Sequence, residues 1–330
     1  MAANPLSMKH WNMNQIRRIL LGKDKMTIPE LSKISGLSAV TLHSLMGQLI
    51  ETGEIVEDET LPSRGGRPAV AYRYRKDYRY SLCISMMTRN GEDTLYVEVS
   101  NLFKETVSGR ELLVKDCTLK GLRDLIENTI KEYPAIRVIG FAIPGISYEG
   151  KIRNIDYPLF HNDEFFQNLK DDLQLPVILE NDINAAVLGY TRSHHKDDSC
   201  IAGLYLPRNY PPGSALLVNG MIHRGAHGMA GEVKFLPYEI PWNQLPFTKE
   251  EHTSILEKMI LTITCLYDPS LLLIYTEEIS RDIEEIQTSL QAEQEIILLP
   301  DLVLSSQIQE DIGRGIKELA WENLLEQIMK

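Results

Sequence analysis

The chain has 330 residues, 43% of them hydrophobic and 24% charged, and a net charge of −12. No apolar run of about 18 residues occurs and the first residues lack the apolar stretch of a signal peptide, so neither a membrane span nor export is expected. Cys83, Cys117, Cys200 and Cys265 are scattered without CxxC spacing, which argues for a reducing cytoplasm and against a structural zinc site.

The charge is uneven. Residues 1–80 hold 12 Lys/Arg against 8 Asp/Glu, while the remainder holds 22 against 38. A basic head attracts nucleic acid and an acidic body repels it. From the N-terminus, Met8 to Leu21 has helical periodicity, with Trp11, Ile16, Ile19 and Leu20 on one apolar face and Gly22 as a stop. Thr27 caps a second helix, with Pro29 in its first turn and Glu30 at the capping-box position; Leu31 and Ile34 carry it to Gly36. Ser38 caps a third helix reaching Thr52, with Leu42, Leu45, Leu49 and Ile50 as its core face. Two short helices joined by a glycine turn fit a helix-turn-helix, although the same helices also fit a small bundle that touches no DNA. A strand starting at Gly53 and a return strand from Ala69 to Tyr74 enclose the basic tip Arg64-Gly65-Gly66-Arg67, the pattern of a wing able to enter a minor groove or grip phosphate. The outer side of the third helix carries Ala39, Val40, Thr41, His43, Ser44 and Gln48. Thr41, Ser44 and Gln48 can hydrogen-bond bases or phosphates, and His43 is a further contact candidate or a plain solvent-facing residue.

Beyond residue 75 the pattern becomes α/β. Strands are expected at Tyr80–Met86, Thr94–Val99 and Glu105–Leu113, a helix at Leu119–Tyr133, and a buried strand at Arg137–Ile143 ending in Pro144-Gly145. A helix at Phe165–Leu173 and a strand at Leu175–Leu179 follow. Glu180-Asn181-Asp182 stands at the carboxyl end of that strand, where α/β proteins hold ligands; Asn181 and Asp182 equally suit the cap of the next helix. The stretch Gly213 to Glu232, GSALLVNGMIHRGAHGMAGE, reads as a strand at Ala215–Val218, a type I′ turn at Asn219-Gly220, a return strand Met221–His223, then Gly225, Gly228 and Gly231 before Glu232. Helices are expected at Ser254–Leu266, Arg281–Leu290 and Ile308–Met329, the last with Ile312, Ile316, Leu319 and Leu324 on one side, and a strand at Leu271–Tyr275.

Three of these strings, Gly65–Ala69, Val177–Ala186 and Gly220–Glu232, resemble motifs of the ROK family (repressors, open reading frames and sugar kinases). The resemblance covers nearly the whole chain and is weakest from Leu236 to Ser306. It implies a winged helix-turn-helix over 1–75, a first lobe over 76–185 completed by the helix at 306–330, and a second lobe over 186–305, the two lobes forming an actin-like, ribonuclease H-like body. In family kinases the residue at the place of Asp182 is the general base on a sugar hydroxyl, the one at Asn181 binds sugar hydroxyls, and the Gly-Glu pair ending at Glu232 faces the sugar; Gly145 is expected beside them.

The phosphate machinery of such kinases is not matched. The region of their Asp-x-Gly-x-Thr turn is here Ile84 to Arg89, without aspartate or glycine. Their second phosphate loop is here Asn209 to Ser214, where Pro211 and Pro212 remove two backbone donors. Their adenine-side glycine cluster is replaced by Leu271 to Glu278. The family histidine three residues past the glutamate is Phe235, and residues 236–252 contain no cysteine, so no metal is expected. These features together lead to the expectation of a non-enzymatic transcriptional regulator of carbohydrate metabolism, a repressor binding an operator as a homodimer, with no cofactor and a sugar or sugar-phosphate effector, Lys234 being a candidate partner for an acidic group. The alternatives are an active sugar kinase with a regulatory head and an effector-independent dimeric scaffold.

Overall fold

The structure, a computed structural model, describes residues 5–61, 69–89, 92–148, 151–153, 158–160, 164–194, 199–276, 278–293 and 298–330. The predicted wing tip, Arg64 to Arg67, lies outside them.

The N-terminal segment contains α1 (Pro5–Leu21), β1 (Met26–Thr27), α2 (Ile28–Ser35), α3 (Ala39–Glu51), β2 (Ile55–Leu61) and β3 (Ala69–Tyr74). Both predicted caps are present. Thr27 and Glu30 form a capping box on α2, and Ser38 Oγ accepts from Thr41 N–H on α3. The three strands form an antiparallel sheet in the order β1-β3-β2. Ile16, Leu20, Leu31, Leu42, Leu45, Leu49, Ile55 and Tyr74 make its core. The apolar faces were drawn too wide. Trp11 is 63% exposed, Ile34 and Ile50 are exposed, and Met46 takes the core position expected of Ile50. Periodicity marks the stripe, but its edges depend on how closely neighbouring elements approach.

A buried ion pair locks this unit. Arg17 Nε and Nη2 donate to Glu54 at 2.8 and 2.6 Å, and Tyr74 Oη donates to the same carboxylate at 2.8 Å. Burial by itself would raise the Glu54 carboxyl, but the Arg17 and Tyr74 hydrogen bonds outweigh it and hold the group below its ordinary value. Replacing Arg17 with methionine strands a buried carboxylate and is expected to cost about 3 kcal/mol. Amide hydrogen exchange across α1–α3 should quicken accordingly, and Glu54→Gln in the same chain should recover part of the loss.

The body contains β4 (Tyr80–Arg89), β5 (Glu92–Asn101), β6 (Thr106–Leu113), α4 (Leu119–Glu132), β7 (Ile136–Ile143), β8 (Ile146–Tyr148), β9 (Lys151–Arg153), α5 (Glu164–Leu173), β10 (Val177–Asn181) and α6 (Asp182–Ser193). Then follow β11 (Cys200–Tyr205), β12 (Gly213–Val218), β13 (Met221–Ile222), α7 (Lys249–Tyr267), β14 (Leu271–Tyr275), α8 (Ile283–Glu293), β15 (Asp301–Leu304) and α9 (Ile308–Met329). Two five-stranded sheets result, ordered β10-β7-β4-β5-β6 and β13-β12-β11-β14-β15. In each, the first three strands in sequence form an antiparallel meander and the last two add in parallel beside the first. The two sheets therefore share one topology.

Helices α4 and α5 cover one face of the first sheet through Leu122, Ile126, Phe165 and Phe166. Helix α7 covers the second sheet through Leu256 and Ile260. Helices α6 and α9 pack together with residues of both sheets, Val138 and Ala142 from one and Ile201 and Leu273 from the other. The type I′ turn is as expected, with Asn219 at φ 52° and Gly220 at φ 72°. Helix α7 begins five residues before the expected start, on a capping box between Thr248 and Glu251. Strands β11 and β15 and the β8–β9 hairpin had no predicted counterpart. They are short apolar or mixed runs whose pairing partners lie elsewhere in the chain.

Candidate ligand-binding site

The site grows from two parallel strands. Asn181 at the end of β10 sits opposite Ile143 at the end of β7. That register brings Gly145, just beyond β7, to the start of α6. Asn181 is the N-cap: its Oδ1 accepts from Ile183 N–H at 2.9 Å and Asn184 N–H at 3.1 Å, and its Nδ2 donates to Gly145 O at 3.2 Å. The capping role is thus what its side chain performs, while its outer surface still lines the cleft.

The second sheet brings Glu232. Ser214 at the start of β12 donates from N–H and Oγ to Gly231 O at 2.9 and 3.1 Å. Gly231 has φ 95°, and a Cβ there would stand 2.0 Å from Ser214 O, so only glycine lets the loop lie this close. Gly145, Asn181, Asp182, Glu232 and Lys234 then line one cleft of about 100 Å³. All four residues expected to face an effector are brought together, with Lys234 beside them.

Asp182 is buried and its pKa is pushed up to about 7, first by burial and further by the Glu232 carboxylate, against the hydrogen bond from Ile183 N–H. A carboxyl with that pKa can stand in the cleft either as a donor or as an acceptor near neutrality.

Two residues were missed. Glu180, with a side chain 1% exposed, pairs with Arg224 of the glycine-rich loop; Arg224 Nε donates at 2.9 Å and Nη2 makes a second, shorter bond. Asn184 Nδ2 and Asn181 N–H donate to its other oxygen at 2.8 and 2.9 Å. The pair ties the loop carrying Glu232 to the strand carrying Asp182. The available signal was Arg224 as the single cation in the string from Gly213 to Glu232, opposite a carboxylate at a strand end.

Where family kinases carry a glycine turn, β4 runs straight on. Its ladder with β5 is unbroken from Tyr80↔Asn101 to Arg89↔Glu92, and Met87 and Thr88 line the cleft from within it. Among the described residues no group of three His, Cys, Asp or Glu could hold a metal, and no helix is long and apolar enough to cross a membrane.

On α3, His43 and Ser44 are exposed, Thr41 is half-buried with its Oγ1 2.9 Å from Ser38 Oγ, and Gln48 folds back to donate to Ser44 O at 3.1 Å. Helix α9 runs from the cleft to α1. Ile308 and Ile312 line the cleft, while at its last turn Met329 O accepts from Asn14 Nδ2 of α1 at 2.7 Å and lies 2.8 Å from His10 Nε2. Arg79 Nη1 donates to Gln327 Oε1 at 3.2 Å nearby.

Residues 90–241 match the sequence model of the ROK family. A xylose repressor of Caldicellulosiruptor bescii is 27% identical over 243 residues, which is 70% of this chain and 59% of that protein, so the match spans less than two thirds of the relative's length. A solved ROK family transcriptional regulator, described as a homolog of the E. coli MLC protein, superposes with a TM-score of 0.65 at 16% identity, covering 98% of this chain and 99% of its own. A ROK hexokinase from Thermus thermophilus superposes with a TM-score of 0.53 at 16% identity, covering 74% of this chain and 99% of its own. At these identities the structures share the fold. Gly145, Asn181, Asp182, Glu232 and Lys234 of the cleft all fall within the stretch that matches the ROK family model, residues 90–241.

Proposed function

We propose that the chain is a ROK-type transcriptional repressor whose N-terminal segment, residues 1–75, binds operator DNA as a winged helix-turn-helix and whose cleft between Asp182 and Glu232 takes a sugar-class effector. The observation that carries this reading is α9. One helix of 22 residues, about 33 Å at 1.5 Å per residue, touches the cleft at Ile308 and Ile312 and the head at His10 and Asn14. A ligand favouring one placement of α9 would favour one placement of the head, and a hundredfold change in DNA affinity needs about 2.7 kcal/mol of such coupling. Relatives named xylose repressor support the repressor reading and direct the effector search to pentoses and hexoses. Asn184 Oδ1, buried beside the cleft without a hydrogen-bond partner among the described residues, would gain a donor from a ligand hydroxyl.

In this reading His43, Ser44, Thr41 and Gln48 present α3 to base edges, and Arg64-Gly65-Gly66-Arg67 grips the backbone or minor groove. Each subunit of a homodimer would engage one half-site. Selection from a random duplex pool with the full-length chain should enrich one inverted repeat, and xylose or a related sugar should release it. Arg67→Ala should weaken binding and lower the salt slope by about 1. Unchanged affinity and slope would remove the wing, and absence of any enriched sequence would remove the repressor.

One observation favours a second reading. A carboxyl titrating near 7 in a cleft of sugar-kinase fold suits a general base. Sugar-dependent ATP turnover abolished by Asp182→Asn would establish a kinase instead. The unbroken β4 ladder and the donor-poor Pro211-Pro212 segment weigh against it.

A further inference from the structure

The inner cleft is small. At about 100 Å³, on a scale where one water takes roughly 10–15 Å³, it has room for about one sugar ring. A second cleft of about 660 Å³ opens directly from it. Met87, Thr88, Tyr205, Pro207, Tyr210 and Ile308 line both and form the junction. A one-ring ligand would leave the larger space to water.

The outer walls define what fits there. Tyr205, Tyr210 and Pro207 supply flat apolar surface at the junction, and Asn209, Ser305, Ser306 and Gln309 supply neutral donors and acceptors beyond it. Apolar planes edged by amides and hydroxyls match the two characters of a pyranose, its C–H faces and its hydroxyl rim. The charges oppose an anion: the lining holds Arg208 against Glu278 and Glu310, and Arg208 is already paired with Glu278 at 3.3 Å. Backbone donors are scarce as well. Pro207 has no N–H, the Leu206 N–H is spent on Tyr275 O, and Met87 and Thr88 belong to the β4–β5 ladder. A phosphate cradle requires converging N–H groups, so a nucleotide or sugar phosphate is disfavoured in the outer cleft.

Resting on the sugar reading of the inner cleft, we propose that the effector is a neutral disaccharide, its first ring between Asp182 and Glu232 and its second in the outer cleft. The second ring lies against Tyr205 and Tyr210 at the junction and close to the first turn of α9, through Gln309. Its binding thus adds contact with the helix that reaches the head.

Isothermal titration of the full-length chain with xylose, xylobiose, glucose, cellobiose and a non-hydrolysable ATP analogue tests this. One disaccharide should bind at least tenfold more tightly than its monosaccharide, and the nucleotide should not compete. Ser306 is exposed and lines only the outer cleft. Ser306→Trp should therefore abolish the disaccharide gain while leaving the monosaccharide constant within about twofold; Gln309→Ala should reduce the gain severalfold. Equal affinity for one ring and two, or displacement of the disaccharide by the nucleotide, overturns the proposal and leaves the inner sugar site standing. Failure of all four sugars to bind overturns both.

Discussion

Gly315→Ala is expected to destabilise the chain by more than 3 kcal/mol, whereas Gly313→Ala, two residues away on the same helix, should be neutral or mildly stabilising. The difference lies in what a new Cβ meets. At Gly315 it would stand 1.8 Å from Ala185 O and 2.6 Å from Ala185 C, both backbone atoms of α6. At Gly189 of α6, the reciprocal position, it would stand 2.0 Å from Asp311 O and 2.7 Å from Gly315 N. No rotamer change relieves a backbone clash, so the helices must separate and open the core around Ile312, Ile316 and Val187. At Gly313 the nearest atom is Glu98 Oε2 at 3.6 Å, an ordinary contact, and alanine gains up to about 1 kcal/mol of helix propensity. Urea unfolding of the two variants side by side is decisive: a Gly315→Ala chain within 1 kcal/mol of the parent would mean that α6 and α9 do not cross backbone to backbone. Because α9 also meets both the cleft and α1, the proposed function carries a further expectation, that a partly folded Gly315→Ala chain loses ligand response before it loses DNA binding.

The second large effect concerns pH. Asp182 has an ordinary carboxyl pKa near 3.8 when unfolded and about 7 when folded. Between these values the folded chain holds a proton that the unfolded chain has released, so stability falls as pH rises through that window and is flat above it. At about 1.36 kcal/mol per unit, the loss from this group approaches about 4 kcal/mol. Asp182→Asn carries no such proton. It should match the parent near pH 4, exceed it by up to about 4 kcal/mol near pH 8, and lose that segment of the pH dependence. Glu232→Gln removes the second cause of the shift and should narrow the window from its upper end. Denaturant midpoints from pH 4 to 8 read both variants, and parallel curves for parent and Asp182→Asn would show that Asp182 is solvated and ionised in the fold. On the proposed function, the greater stability of the asparagine variant comes with weaker sugar binding, since the amide cannot accept as a carboxylate does.

How far the sequence reached follows the range of the interactions involved. Thr27 with Glu30, Ser38 with the N–H of Thr41, and Asn219-Gly220 with its two positive φ angles are contacts within four residues, and each was legible because the residue types leave few alternatives. The Thr248–Glu251 box was equally local and was passed over, which cost five residues of α7. Long apolar runs such as Ile136–Ile143 and Leu271–Tyr275 announced themselves as buried strands. The gathering of Gly145, Asn181, Asp182 and Glu232 was implied by resemblance; the register of β10 on β7 places the first three, and the Ser214–Gly231 contact of the second sheet places Glu232.

What the tertiary structure alone decided depends on partners distant in the chain. Glu180 finds Arg224 44 residues away, Gly189 faces Gly315, and Met329 O meets Asn14 from 315 positions along the chain. Trp11 turned outward because the rest of the core closed over Ile16 and Leu20 instead. The repeated sheet order, with β11 and β15 in places that no periodicity marked, is likewise a product of pairing. Sequence-local chemistry fixes turns, caps and which segments prefer to be buried; which buried surfaces meet is settled by packing, where one backbone approach or one stranded carboxylate outweighs several residues of propensity.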